Sequence, residues 1–286
     1  MRIVYIGQDQ FLGCARAALA GGHTISAIYS SPGERTQAVR ELAKSIRAVL
    51  HTAPMTRVDL ERESASGAEL FLCAGYPRLV PVAPGEHAPA VNIHPALLPE
   101  GRGPAPMAWT ILKGLTESGV TAHEMNERFD RGPIVVQQRI TLSPRETAAT
   151  LTARLGLLAA ALTTDLLADF PALWAARTPQ LGGSYWKAPR LSDRTIDWSA
   201  GVETIERTAR AFPGRTFATI GGQRHTLTSA VGWTAAHGRQ PGTAIDRWQG
   251  TTVVAAADGF VAVNARRITV ARQAWWRISR ASRRAR

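Results

Sequence analysis

The chain has 286 residues, 45% of them hydrophobic, which gives room for one large or two modest domains with an ample core. No unbroken apolar run reaches about 18 residues, so a membrane-spanning helix is not expected, and the two cysteines, Cys14 and Cys73, supply neither a disulfide framework nor metal-ligand spacing. The net charge of +12 is uneven: from Trp198 onward 14 basic and 4 acidic residues give +10, against +2 for the first 197 residues, which fits either a polyanion-binding C-terminal part or a solvated, arginine-rich end.

Residues 2–7 read as a first strand rather than a signal peptide, since the apolar run is short and turns at Gly7. With the reduced, core-type cysteines this predicts a cytoplasmic location. A helix over 11–20 follows, with Leu12, Ala15 and Leu19 on one face, and then a strand over 25–29. This strand–helix–strand opening predicts a doubly wound α/β start. Gly7 and Gly13 do not make the dinucleotide fingerprint, which argues against a nicotinamide cofactor. Residues 35–50 predict one helix with Val39, Leu42, Ile46 and Val49 inward, and Arg40, Glu41, Lys44 and Arg47 on its solvated face. A short helix is expected over 59–64, a strand over 69–74, and a connecting loop from Gly75 to Pro81.

The stretch Val91-Asn92-Ile93-His94-Pro95 reads as a buried strand running into a rigid loop. Val91 and Ile93 would point into a core, and Asn92 and His94 would share the opposite face. That face lies at the carboxyl end of the strand, where open α/β sheets bind ligands. Pro95 and Pro99 stiffen the loop, and Gly101 and Gly103 permit tight turns. Beyond it, a helix is expected over 107–113 and strands over 119–125 and 134–142, with Asp130 in the turn between the strands. A helix over 146–169 carries a leucine stripe, Leu151, Leu155, Leu158, Leu162 and Leu166, of the core-packing kind. A helix over 201–212 leads to short alternating strands at 216–220, 224–230, 242–246, 251–256 and 259–263, the spacing of a small β-barrel or meander. An amide, an imidazole and a carboxylate converging at Asn92, His94 and Asp130 suit acyl transfer: donors for an oxyanion, and a carboxylate to orient the imidazole or take a proton.

Asn92-x-His94, the Leu97-Leu98-Pro99 loop closing on Arg102-Gly103, and Asp130-x-Gly132 resemble the signature of the folate-dependent formyltransferases. That superfamily includes methionyl-tRNA, glycinamide ribonucleotide, amino-sugar and siderophore-ornithine formyltransferases. The similarity runs through most of residues 1–230 in order and spacing; Ala96 departs from it, standing where many members carry Ser. The resemblance implies a Rossmann-like doubly wound α/β sheet (the formyltransferase fold) over 1–181 and a linker over 182–199. A small OB-like β-barrel over 200–270 and a basic tail over 271–286 would follow. It implies transfer of the formyl group of 10-formyltetrahydrofolate to an amine, without a metal.

Asn92 and His94 would then donate to the formyl oxygen, and Asp130 would orient His94 and assist removal of the amine's proton. Tyr76, Leu79, Leu97, Leu98, Pro99, Arg102, Gly103 and Asn126 are the implied folate contacts. Arg102 is expected above all to hold the loop by bonding carbonyls. His123 is set aside as a strand-end packing residue. The runs Thr121-Ala122-His123-Glu124-Met125-Asn126 and Val135-Val136-Gln137-Gln138, and the compact Gly33-Glu34-Arg35, resemble enzymes that formylate small amines such as hydroxyornithine or nucleotide-linked amino sugars. A small-molecule acceptor is therefore expected, with methionyl-tRNA as the alternative and hydrolysis of formyltetrahydrofolate as a further one. No membrane partner is expected, and a homodimer is left open.

Overall fold

The computed structural model describes residues 1–268, so the expected basic tail lies outside the described residues. The chain divides into two compact units. The first comprises Met1–Thr110, Leu115–Pro144 and Ala149–Ala188; the second comprises Ile111–Gly114, Arg145–Ala148 and the chain from Pro189 onward.

The first unit is built on a seven-stranded sheet. Its strands are β1 (Arg2–Gly7), β2 (Thr24–Tyr29), β3 (Val49–His51), β4 (Leu70–Ala74), β5 (Ala90–His94), β6 (Glu117–Glu124) and β7 (Ile134–Thr141). They lie in the order β3-β2-β1-β4-β5-β6-β7. The first five run parallel; β6 is antiparallel to β5, and β7 to β6. The central strands are apolar without alternation because both faces are covered: every residue of β4 is buried. Val4, Ile6, Ala27, Tyr29, Phe71 and Cys73 pack with Leu60 of α3 (Arg57–Ala65) in one cluster. The Tyr5 hydroxyl donates to the carbonyl of Phe11, just ahead of α1 (Leu12–Ala20).

Residues 35–50 do not form one helix. A helical turn over Glu34–Thr36 leads into α2 (Gln37–Ser45), which stops where Arg47 takes a positive φ of 57°, and the chain then enters β3. Val39 and Ala43 are the buried residues of α2; Val49, expected inward, is 58% exposed on the edge strand. The later helices are α4 (Pro106–Leu112), α5 (Ala148–Ala168) and a separate α6 (Phe170–Ala175). Asp169, with an extended φ of −139°, and Pro171 divide α6 from α5. The leucine stripe of α5 behaves as expected: Leu151, Leu155, Leu162 and Leu166 are fully buried, while Leu158 is partly covered.

In the second unit, α7 (Val202–Ala211) precedes five strands: β8 (Thr216–Ile220), β9 (Gln223–Thr234), β10 (Ala244–Trp248), β11 (Thr251–Ala255) and β12 (Gly259–Arg267). They pair antiparallel in the order β10-β11-β12-β9-β8. Ile205 of α7 packs with Leu227, Val254, Val261 and Val263 to form this unit's own core. Strands β9 and β12 run longer than their apolar alternation suggested, because backbone pairing continues past the last inward residue as far as Arg267 opposite His225.

Leu155 is fully buried on α5. Leu155→Ala should cost about 2–5 kcal/mol of stability in urea denaturation; a loss below about 1 kcal/mol would contradict its placement in the core.

Candidate active site

Sheet register brings the site together. Asn92 sits on β5 between Cys73 of β4 and His123 of β6. The carboxyl end of β5 carries His94, and the turn after β6 brings Asp130 back over both. Asp130 occupies the left-handed region, with φ at 57°. Two residues on, Gly132 lies so close to the Glu124 carbonyl that an added Cβ would come within 1.9 Å of it. This close approach is the physical content of the Asp-x-Gly spacing.

Asp130 is the centre of the cluster. Its Oδ2 accepts the backbone N–H of Gly103 at 2.8 Å. Its Oδ1 lies 3.4 Å from His94 Nδ1, 3.6 Å from His123 Nε2 and 3.4 Å from Asn92 Nδ2. Asn92 Nδ2 is nearer to His123 Nε2, at 3.1 Å. His94 and Asp130 are both buried, at 5% and 7% exposure.

Two carbonyl oxygens fix where the ring protons sit, since a carbonyl can only accept. His94 Nε2 donates to Gly101 O at 2.9 Å, and His123 Nδ1 donates to Glu124 O at 2.7 Å. The neutral His94 ring therefore turns an unprotonated Nδ1 toward the carboxylate, and His123 Nε2 is free to accept from Asn92. In this tautomer Nδ1 can accept a proton but cannot donate one, so the oxyanion-donor role expected from sequence would need the protonated ring. Burial lowers the His94 pKa below its usual value, against the raising pull of Asp130 and of the Gly101 bond. Burial alone would raise Asp130, but His94, His123 and the Gly103 amide bring it down to about 2. At neutral pH the pair rests as imidazole and carboxylate.

The loop that carries Gly101 and Gly103 is held by the segment just after α6. Ser184 and Trp186 exchange backbone bonds with Arg102, and Ser184 N donates to Pro99 O. At Gly103 a Cβ would meet the Trp186 carbonyl at 2.4 Å, so only glycine lets the two backbones close. The Arg102 guanidinium bonds Gln180 Oε1 and the Gly182 carbonyl, each at 2.9 Å. The Gln180 amide in turn donates to the carbonyls of Asp130 and Gly132. Residues 182–186, read from sequence as the start of a linker, thus brace the loop.

A cavity of about 510 Å³ opens beside this cluster. Of the sequence-derived residues, Tyr76, Leu79, Asn92, His94, Gly103, Asn126 and Asp130 line it. Leu97, Leu98, Pro99 and Arg102 do not. Leu98 is buried, its N–H bonding Thr121 Oγ1, and Arg102 is committed to Gln180 and Gly182. His123, set aside from sequence, belongs to the cluster; its signal was its place on the strand expected beside β5. Gly101 and Gly103 are marked in the sequence for their turns, but the backbone bonds they make to His94 and Asp130 left no sequence signal, and neither did Gln180, which acts from a distant loop. Among the described residues no group of three His, Cys, Asp or Glu side chains could hold a metal ion.

The model of the family described as formyl transferase matches residues 4–164, and that of the formyl transferase C-terminal domain matches residues 190–276. The methionyl-tRNA formyltransferase of Acidiphilium cryptum is 34% identical over 268 residues, covering 86% of each chain. That of Nitrosospira multiformis is 33% identical over 230 residues, covering 75% of this chain and 74% of its own. The fold is shared with an N-formyltransferase from Helicobacter canadensis in complex with folinic acid and dTDP-3-aminofucose. That match has a TM-score of 0.70 and 16% identity, covering 93% of this chain and 99% of that one. It is also shared with HypX from Aquifex aeolicus in complex with tetrahydrofolic acid, at a TM-score of 0.63 and 21% identity; the match covers 94% of this chain but only 44% of HypX.

Gly132→Ala should destabilise the protein by about 1–3 kcal/mol, because backbone must move to admit the methyl group. Urea denaturation of the intact chain measures this, and an unchanged midpoint would contradict the close approach to Glu124.

Proposed function

The chain belongs to the formyl transferase family, and from that premise we propose that it moves the formyl group of 10-formyltetrahydrofolate to the amine of a small metabolite, of hydroxyornithine or nucleotide-linked amino-sugar type. The observation that carries this reading is His94 Nδ1 facing Asp130 Oδ1 at 3.4 Å at the buried end of the cavity. The cavity is within the size range of small-ligand sites. Tyr76, Leu79, Val80, Met125 and Phe129 give it an apolar lining suited to a flat ring system.

The amine nitrogen attacks the formyl carbon, and negative charge builds on the formyl oxygen. Asn92 supplies the donor for that oxygen. Its N–H toward Asp130 spans a long 3.4 Å, so it exchanges one weak partner for a better one. His94 Nδ1 takes the proton from the attacking nitrogen and becomes an imidazolium beside the Asp130 carboxylate. The same proton then passes to the folate nitrogen as the bond from carbon to that nitrogen breaks. The net change is one formyl group moved one way and one proton the other. Asp130 acts through charge: it stabilises the imidazolium that forms and is itself too acidic to hold the proton.

Two features support a small acceptor. The connection from β2 to α2 is compact, with no long basic insertion, and His123 stands in the run that resembles small-amine enzymes. The tRNA reading is favoured by the relatives at 34% and 33% identity and by the basic C-terminal part of the chain. Salt separates the two. A tRNA acceptor would lose affinity by orders of magnitude between about 50 and 200 mM salt, and a small amine would not. Folate release in the absence of any amine would point to hydrolysis instead.

His94→Ala should lower formyl transfer by about 10²–10⁴-fold, the range of a lost general base, and Asn92→Ala by about 10²–10³-fold. Near-normal turnover in either variant would end these assignments. The active form of His94 is the neutral ring, so kcat/KM should fall as pH drops through a pKa lying below the usual value of 6.5. Asp130→Asn removes a charge that raises that pKa, so the acid limb should move to still lower pH while the plateau rate drops. A limb that stays in place would contradict the coupling.

A further inference from the structure

We propose that Arg35, which lines the cavity together with Gln8 and Gln10, is the specificity-determining residue for the acceptor, and that it binds an acidic group, carboxylate or phosphate, carried by the acceptor. The inference rests on the donor and acceptor roles proposed above.

Three arginines line the cavity, Arg35, Arg78 and Arg128, and all are exposed. Among the described side chains none of the three guanidiniums makes a hydrogen bond or an ion pair. The single carboxylate lining the cavity among the described residues is Asp130, whose oxygens already face the Gly103 amide, Asn92 and the two histidines. The cavity therefore carries unbalanced positive charge, and its ligands must supply the anions.

The strand order spaces these cations along the sheet. Arg128 follows β6 and Arg78 follows β4, and both adjoin the apolar lining of Leu79, Val80, Met125 and Phe129. A folate laid on that lining would bring its acidic glutamyl end to them. Arg35 follows β2, and Gln8 and Gln10 follow β1, beyond β4 and farther from the β5 residues Asn92 and His94. A donor laid over the lining that follows β4 and β6, the two neighbours of β5, leaves Arg35 for the acceptor. The planar fork of a guanidinium bonds a carboxylate or a phosphate through two N–H groups, and Gln8 and Gln10 add polar amides to the cavity wall.

The test uses the intact chain, 10-formyltetrahydrofolate and acceptor pairs of which only one member carries an acidic group. N5-hydroxyornithine is compared with its decarboxylated counterpart N-hydroxyputrescine, and a nucleotide diphosphate amino sugar with the free amino sugar. For whichever acidic member is formylated, Arg35→Ala should raise acceptor KM by about tenfold or more and erase most of the preference over the partner that lacks the acidic group. The loss should fall on the acceptor and not on donor KM, whereas Arg128→Ala should raise donor KM. An unchanged acceptor KM in Arg35→Ala, or equal KM values within the pair for the wild type, would overturn the proposal.

A binding arm reads the subsite without turnover: pyrophosphate titrated calorimetrically into protein saturated with 5-formyltetrahydrofolate. Binding that weakens about tenfold in Arg35→Ala supports the subsite; no binding, or binding indifferent to Arg35, overturns it. If no amine of either pair is formylated while pyrophosphate still binds through Arg35, the small-acceptor reading falls and the anion subsite stands.

Discussion

A carbonyl oxygen has only lone pairs to offer, and at Gly101 that fact decides the chemistry of the site. Because Gly101 O can only accept, the proton of neutral His94 is held on Nε2 and the other ring nitrogen meets Asp130 bare. In the resting state an unprotonated nitrogen and a carboxylate face each other at a distance of 3.4 Å, which is unfavourable. When the nitrogen gains a proton the contact becomes an ion pair. The site is therefore arranged to favour the state in which His94 has taken a proton, while burial keeps the ring neutral until one is delivered. The two influences oppose each other, and their balance sets the pH at which His94 titrates.

The rest of the first unit keeps that arrangement rigid. Asp130 is pinned from one side by the Gly103 amide and has its backbone carbonyl capped by Gln180. Gln180 is held by Arg102, and Arg102 lies on the same loop as Gly101 and Gly103. The loop that carries Gly101 and Gly103 and the turn that carries Asp130 thus share one hydrogen-bonded brace, closed by the segment around Ser184. Glycine is required where backbones nearly touch, at Gly103 against Trp186 and at Gly132 against Glu124. Arg177 bonds the Glu124 carboxylate at 2.7 Å and lies over the Trp174 ring, which ties α6 to the end of β6.

What was legible in the sequence was whatever depends on local pattern. The unbroken apolar runs of β1 and β4, the leucine stripe of α5, and the alternation that puts Asn92 and His94 on one face all follow from side-chain period. What was not legible depends on partners distant in the chain or on backbone atoms. Residues 46–50 satisfy a helical period, so only the left-handed turn at Arg47 and the pairing of Val49 beside Ala27 reveal β3. The break between α5 and α6 was hidden inside a continuous apolar pattern, although Pro171 marked it. His123 was visible but undecidable, because its role depends on the register that sets it opposite Asn92. The proton position on His94 depends on a main-chain oxygen seven residues away, and no side-chain pattern reports that.

Nitrogen-15 chemical shifts of His94, followed through a pH titration of the intact protein, test the account most directly. The neutral ring should carry its proton on Nε2 and should titrate below the pH of an unperturbed histidine, and its pKa should fall further when Asp130 is replaced by Asn. A neutral ring protonated on Nδ1, or a titration indifferent to the loss of the Asp130 charge, would contradict it.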